Sequence, residues 1–543
     1  MKKEISEILN LIDNKNIDKA FVEAKKLFHI DPKNINVIKV LSFLHIQKNQ
    51  FQSTIDLLLN YFEEYPEKKD FDFYINLGVS YKSIEEYQKA LNMYEKAKEL
   101  DPGSPLCYTV PAEIYLKLRN YKKANELIDA AIEIINKSEV RTLHFPNAIK
   151  IKTEVNVAMN KDDDNSSMLL SILDKEFNPD IFYLLAINNS KKIDENLLNI
   201  AESYLKGNDK GFKNSLDRFW YVQPLYFALA VYYQKLNSAK SEEYYHLGNA
   251  EIMKSLRYNS FGYQKNILDI TENYQTVFAD TKISDKKLGS ENFFILGTPR
   301  SGTTLIESMI GINQDVASGG ELLSASKLIQ DFIEEKEKQD IEIFREYFQK
   351  TYSSRTNFIK GGSKYILDKL PENFLFIGQI LGLLPGAKII RTFRHPWDVA
   401  ISLYKQRYVT NIPYSASFFN IGVFMANFEA INIYWDQKVE NKDNILDVYY
   451  EKLVIDPEKY RSQIYEFLDL NENEFDEKKR QNFFSQTASI RQIGDKIHKK
   501  SVKKQDFLDK KSEFYEALLM QRKYWQKKGL NSENSSFFGY TLE

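Results

Sequence analysis

The residues whose types and spacing best suggest chemistry fall in 293–310, FFILGTPRSGTTLIESMI. Residues 293–296 form an apolar run with the length and character of a buried strand. Gly297-Thr298-Pro299 breaks the run, and an apolar-periodic segment carrying Glu307 and Met309 begins at Ser301. Strand, glycine-bearing turn and helix in that order can cradle an oxyanion. The first N–H groups of a helix lack intrahelical partners, converge, and have the positive end of the helix dipole behind them. Gly297 and Gly302 are spaced as in GxxxxGK[ST], where glycines let the backbone approach a phosphate. Thr303 stands where that motif has its lysine, which argues against ATP or GTP chemistry. Arg300 supplies the cation instead.

Three further stretches could complete such a site. In residues 316–323, VASGGELL, two glycines precede Glu321. They remove side chains so that the carboxylate can face an open site, or Glu321 is simply an acid favoured near a helix N-terminus. In 365–378, YILDKLPENFLFIG, a short strand is followed by Lys369 and by a helix beginning near Pro371. Lys369 then sits at a strand's carboxyl end, where open α/β sheets bind ligands. In 387–407, AKIIRTFRHPWDVAISLYKQR, β-like residues 388–393 lead to the Arg394-His395-Pro396 turn, and a helix from Trp397 carries Ser402.

PRSGTTL after a strand, together with the RxPxxxxxS spacing of Arg394 and Ser402, resembles the PAPS-dependent sulfotransferases. The similarity is greatest to tyrosylprotein sulfotransferases and their bacterial relatives with N-terminal tetratricopeptide (TPR) repeats. It implies a loop holding the donor's 5′-phosphate through Arg300, Ser301, Gly302, Thr303 and Thr304. It also implies Glu321 as the base that takes the acceptor's hydroxyl proton, and Lys369 as the cation that reaches the transferring sulfonate. Arg394 and Ser402 would meet the 3′-phosphate. Residues 445–454, ILDVYYEKLV, resemble a family strand that would put Tyr450 near the adenine, and 487–501, TASIRQIGDKIHKKS, resemble its late nucleotide-covering loop, which would offer Ser489 and Lys500 to the nucleotide. The basic cluster at 496–504 equally reads as a solvated face. Where the family carries an Arg four residues after the Ser, this chain has Gln406, flanked by Lys405 and Arg407. His395 replaces the family's Asp and is not assigned to catalysis.

These motifs need a scaffold, and the rest of the chain supplies one. In 71–104, Tyr74, Leu77, Gly78, Tyr81, Ala90, Tyr94, Ala97 and Pro102 fall at TPR spacings. The following unit repeats them at Tyr108, Ala112, Tyr115, Tyr121, Ala124 and Ala131, while IDP at 30–32 and EYP at 64–66 punctuate earlier units. The period weakens over 140–214, where Asp162–Asn165 reads as a loop and Asn178-Pro179 as a break. Helical spacing returns at 225–255. The expected fold class is an N-terminal all-α TPR solenoid (1–260), a connector (261–290) and a P-loop-like α/β domain with a central parallel sheet (291–543).

Composition limits the partners. The 543 residues carry 74 basic and 76 acidic side chains, so no net-charge argument favours nucleic acid or an anionic membrane. One cysteine, Cys107, excludes an intrachain disulfide framework and a cysteine metal cluster, and six scattered histidines lack metal-ligand spacing. No metal is expected. The charged N-terminal residues lack a signal peptide's apolar core, and no apolar run approaches a membrane span, which points to a cytoplasmic protein. The expected reaction moves a sulfonate from PAPS to a hydroxyl of a protein tyrosine, glycan or small metabolite, leaving adenosine 3′,5′-bisphosphate. The repeats would receive a protein or peptide partner or scaffold a homodimer. The alternatives are a TPR interaction scaffold with an inactive nucleotide-binding half, and a P-loop nucleotide kinase.

Overall fold

The computed structural model describes residues 2–137, 141–206, 215–255, 258–279, 285–334, 340–408, 412–472, 475–481, 483, 506–530 and 536–542. Two compact units divide the chain: residues 1–155 with 353–358, and 156–352 with 359–543.

The first unit is helical and periodic. Helix Phe71–Ser83 is followed by Tyr87–Leu100, and Leu106–Lys117 by Tyr121–Lys137. A β-carbon on Gly78 would lie 2.8 Å from the Tyr94 ring, so the first two helices touch where the sequence has only hydrogen to offer. Each such pair turns on a residue in left-handed conformation: Lys15, Asn49, Glu85 and Arg119, 34, 36 and 34 residues apart. The next N–H reaches five residues back (Asn16 to Leu11, Gln50 to His45, Glu86 to Tyr81, Asn120 to Tyr115, all 2.8–2.9 Å), a Schellman closure that satisfies helix-end carbonyls. None of these four turn residues is glycine, so the repeat of this turn was not marked by residue type.

The second unit holds a five-stranded sheet in the order β2-β3-β1-β4-β5, with every neighbouring pair parallel. The strands are β1 (Asn292–Gly297), β2 (Val316–Gly320), β3 (Tyr365–Asp368), β4 (Lys388–Phe393) and β5 (Ile445–Tyr449). Parallel strands covered on both faces read as continuous apolar runs, and β1 does. Phe293 and Ile295 join Leu367, Ile390, Val448 and Tyr465 on one face. Phe294 and Leu296 join Ile389, Phe374 and Trp435 on the other, in a core that also includes Phe227 and Tyr245. From β1 the chain moves to one edge and from β4 to the other, so the crevice at the carboxyl ends of β1 and β4 is the sheet's switch point.

One element corrects the sequence reading. Asp162–Asn165, expected as a loop, opens the helix Asp162–Leu173 with three aspartates in its first turn. Acids there meet the positive end of the helix dipole, which outweighs their weak helix propensity. Asn178 caps the helix Pro179–Asn189 by accepting from the N–H groups of Asp180 and Ile181, as the expected break requires. No helix among the described residues is long and apolar enough to cross a membrane.

Candidate active site

The loop after β1 is built around two glycines and an arginine in unusual conformations. Gly297 (φ +152°) sits where a β-carbon would come 2.2 Å from Thr392 Oγ1 and 2.6 Å from the Thr392 carbonyl oxygen. Gly302 (φ +104°) sits where a β-carbon would meet Tyr450 Cδ2 at 2.6 Å. Arg300 itself lies at φ +73°. A non-glycine residue there carries strain of the kind concentrated at functional sites. The helix Thr303–Ile310 follows. Ser301 faces inward: its hydroxyl donates to the Thr298 carbonyl (2.6 Å) and contacts Thr392 Oγ1, and its N–H also bonds Thr298. Gly302 and Thr303, by contrast, make no backbone N–H bond among the described residues. These two residues are the N-cap and the first residue of that helix.

Arg300, Arg394, Ser402 and Tyr450 meet here, although 150 positions of sequence separate the first from the last. Arg300 Nε donates to Ser402 Oγ (3.0 Å), and Arg394 Nη1 donates to the Arg300 carbonyl (2.8 Å). The Arg394 guanidinium lies 4.3 Å from the centre of the Tyr450 ring, within cation–π range. Burial, with Arg394 beside it, pulls the Arg300 guanidinium below the usual arginine range, against a raising contribution from Tyr408. Two buried guanidiniums around one loop make an anion-seeking site.

The second half of the site lies across β3. Lys369 follows the strand immediately, is fully buried, and is anchored by its N–H to the Gly320 carbonyl (2.8 Å). Its ammonium donates to Glu321 Oε1 (2.7 Å) and stands 3.8 Å from Glu307 Oε2. Glu307 is buried and also accepts from Ser318 Oγ (2.7 Å), whereas the Glu321 side chain is 45% exposed. The lysine is therefore held from behind by a buried acid, while the acid in front of it opens to solvent.

Several flanking residues have other partners. Lys405 pairs with Asp506 (3.1 Å), and Arg407 pairs with Asp180 (2.9 Å) while donating to Gln223. The His395 N–H donates to Glu451 (2.9 Å), and burial lowers its imidazole pKa. Ser489 and Lys500 lie outside the described residues. Sequence reasoning assigned no role to Glu307 behind Lys369 and did not single out Tyr408, whose phenol is held above its usual range chiefly by burial, with Arg300 lowering it and Glu321 raising it. Glu307 was visible as an acid on the first helix, but only its pairing across the sheet gives it a role.

Residues 292–474 match the model of the sulfotransferase family, and residues 71–104 that of the tetratricopeptide repeat. An uncharacterized protein of Aquifex aeolicus is 30% identical over 228 residues, covering 39% of this chain and 30% of that protein. A protein-tyrosine sulfotransferase of Drosophila melanogaster is 28% identical over 193 residues, covering 33% of this chain and 38% of that one. The chain thus spans about a third of the length of these two relatives. Among solved structures, the sulfotransferase domain of the Synechococcus PCC 7002 olefin synthase is 18% identical, covering 47% of this chain and 99% of that one, with a TM-score of 0.27. A tetratricopeptide repeat protein of Parabacteroides merdae covers 48% of this chain and 93% of its own, at 13% identity and a TM-score of 0.33. The loop with its two buried arginines thus lies within the residues that match the sulfotransferase family, on a chain that also matches a tetratricopeptide repeat and shows weak similarity to protein-tyrosine sulfotransferases.

Proposed function

We propose that this chain transfers a sulfonate group from PAPS to a hydroxyl acceptor. The observation that carries the reading is the convergence of Arg300, Arg394, Ser402 and Tyr450 on one glycine-lined loop beside the Lys369–Glu321 pair. The loop's fit to a phosphate is physical: Gly302 leaves no β-carbon in the mouth, and the N–H groups of Gly302 and Thr303 are available at a helix start. In this reading Arg300, Ser301, Gly302, Thr303 and Thr304 hold the donor's 5′-phosphate. Arg394 and Ser402 hold its 3′-phosphate, and Tyr450 lies by the adenine, with Ser489 and Lys500 as further contacts.

The transfer balances simply. The bond from sulfur to the bridging phosphate oxygen breaks, a bond from sulfur to the acceptor oxygen forms, and the acceptor's proton passes to the Glu321 carboxylate. Lys369 and Arg300 offset charge that grows on the bridging and sulfonate oxygens, and fixed cations in a dry site do this most effectively. Glu321 works by general-base catalysis. Because Lys369 already touches Glu321, the same lysine can hold the base in place until the donor's sulfonate arrives.

Residues 1–260 would form the repeat region that receives a partner or scaffolds the enzyme, and 291–543 the catalytic region, joined by 261–290. The test is incubation of the whole protein with labelled PAPS and candidate tyrosine peptides, glycans and small alcohols, read by mass spectrometry. Sulfonated product that disappears in Lys369→Ala supports the reading. Donor hydrolysis without transfer to any acceptor opposes it.

A further inference from the structure

The helix that carries Ser402, Pro396–Tyr404, is held differently at its two ends. Its far end is pinned: the Asn249 amide donates to the Tyr404 carbonyl (2.9 Å), and His246 Nδ1 lies 2.8 Å from the Tyr404 hydroxyl. Asn249 is buried, so a carbonyl that the helix end leaves without an intrahelical partner is satisfied away from water. The start of the helix follows Arg394 at the N-cap His395, whose side chain makes no cap bond among the described residues. Pro396, next in the chain, has no N–H to give. What holds the start is Glu451, one residue after Tyr450: its Oε1 accepts from the His395 N–H (2.9 Å). Glu451 thus ties the end of β4 to the end of β5, beside the Arg394–Tyr450 contact.

A carboxylate on a flexible side chain fixes its partner only if it is itself fixed, and residues 536–541 do this. Ser536–Phe537 and Tyr540–Thr541 pair as a short antiparallel hairpin. The Tyr540 hydroxyl donates to Glu451 Oε2 and stands 3.4 Å from the Phe393 carbonyl oxygen. Its ring meets the His395 ring edge-on at 5.7 Å, and Phe538 packs on Phe393 at 4.4 Å. Arg522, paired with the buried Glu429, donates to the Ser536 carbonyl (3.1 Å) and so anchors the hairpin to the helix Lys511–Gln526. Burial and the neighbouring Glu451 hold the Tyr540 phenol above the usual range, so it stays protonated and donates. Both oxygens of one carboxylate are taken, one by the start of the Ser402 helix and one by the hairpin. Hydrogen bonds to a charged acceptor are the stronger kind.

We infer that Glu451 and Tyr540 are positioning residues for the nucleotide: Tyr540 fixes the Glu451 carboxylate, and Glu451 fixes the start of the helix that presents Ser402, with Arg394, to the 3′-phosphate. Neither side chain has to touch the ligand. The inference rests on the sulfonate-transfer reading, which gives Arg394 and Ser402 to the 3′-phosphate. It makes selectivity for a 3′-phosphorylated nucleotide depend on a hairpin outside the sheet.

Adenosine 3′,5′-bisphosphate and AMP, which lacks the 3′-phosphate, test this by calorimetric titration. Each is titrated into the full-length protein and into Glu451→Ala, Tyr540→Phe and the double variant, with thermal melts beside them. The unaltered protein should prefer the bisphosphate. Glu451→Ala should weaken the bisphosphate about tenfold, near the lower end of what a hydrogen bond to a charged group contributes, and leave AMP nearly unchanged. Tyr540→Phe keeps the ring and removes only the hydroxyl; because Glu451 retains its other bond, the loss should be about threefold. Since Tyr540 acts through Glu451, the double variant should bind no more weakly than Glu451→Ala, a non-additivity that independent sites do not show. Additive losses, an equal loss for AMP, or an unchanged preference in both single variants would overturn the inference. Should Glu451→Ala fail to fold, Tyr540→Phe decides alone: the preference must narrow while AMP binding holds. A preference that survives every variant would keep the donor reading and sink this inference, whereas no preference in the unaltered protein would sink both.

Discussion

Replacing Glu321 by glutamine separates chemistry from architecture at a single atom pair. The amide keeps the side chain's shape and can still accept a hydrogen bond from Lys369, now 2.7 Å from Glu321 Oε1. What is lost is a negative charge able to take a proton. Lys369 is fully buried, and a buried cation stripped of all counter-charge costs about 3–5 kcal/mol. Here Glu307 remains 3.8 Å away and is itself buried, so the lysine is not orphaned. Glu321 is 45% exposed, and such pairs contribute about 0–1 kcal/mol. The expected stability loss is therefore at most about 1 kcal/mol. If Glu321 is the base, turnover should fall by about 10²–10⁴-fold. Single-turnover rates at saturating PAPS, measured beside thermal melts, read both quantities. Near-unaltered turnover would remove Glu321 from the mechanism, with His395 the next residue to examine. A melting loss of several kcal/mol would mean that the pair is structural.

Other perturbations follow from the same geometry. Arg394→Ala should weaken PAPS by about 1.5–3 kcal/mol, as for a lost charge-assisted contact, and leave adenosine 5′-phosphosulfate almost unaffected. Equal weakening of both, by titration, would give Arg394 another role. Gly297→Ala should destabilise the protein more than Gly302→Ala. The first β-carbon meets backbone and hydroxyl oxygen near Thr392, while the second meets a tyrosine ring that can swing away; strain alone costs about 1–3 kcal/mol at each, and denaturant melts would rank them. For Glu372, raised from 4.5 to about 7, the folded state binds the proton more tightly than the unfolded chain. Stability should fall as pH rises from 4.5 to 7 and stay lower above. Glu372→Gln should therefore match the unaltered protein near pH 4 and exceed it by about 1–3 kcal/mol at pH 8. The similar rise of Glu429 is common to both proteins and cancels, and an equal pH profile for the two would contradict the raised pKa of Glu372.

The strand-loop-helix was legible because it is local. Four apolar residues, two glycines and one arginine occupy a few consecutive positions, and their meaning needs no distant partner. The repeats were legible through small residues at close contacts, Gly78 against Tyr94 being the clearest. Asp162–Asn165 was misread because three aspartates look like a solvated loop until they are placed on a helix's first turn. Glu307 stayed silent for a different reason: it acquires its role from Lys369, just past β3, a pairing that no spacing within one stretch encodes. The positive φ of Arg300 was likewise invisible, since its residue type gives no sign of it.

Binding of adenosine 3′,5′-bisphosphate to the full-length protein, compared with ATP and magnesium, tests the central claim most directly. A ligand that binds the folded state at a hundred times its Kd adds about 2.7 kcal/mol and raises the melting temperature accordingly. Thr303 in place of the lysine and the Arg300–Arg394–Ser402 cluster predict stabilisation by the bisphosphate that is lost in Arg394→Ala, with little from ATP. Stabilisation by ATP with magnesium and none by the bisphosphate would contradict the account.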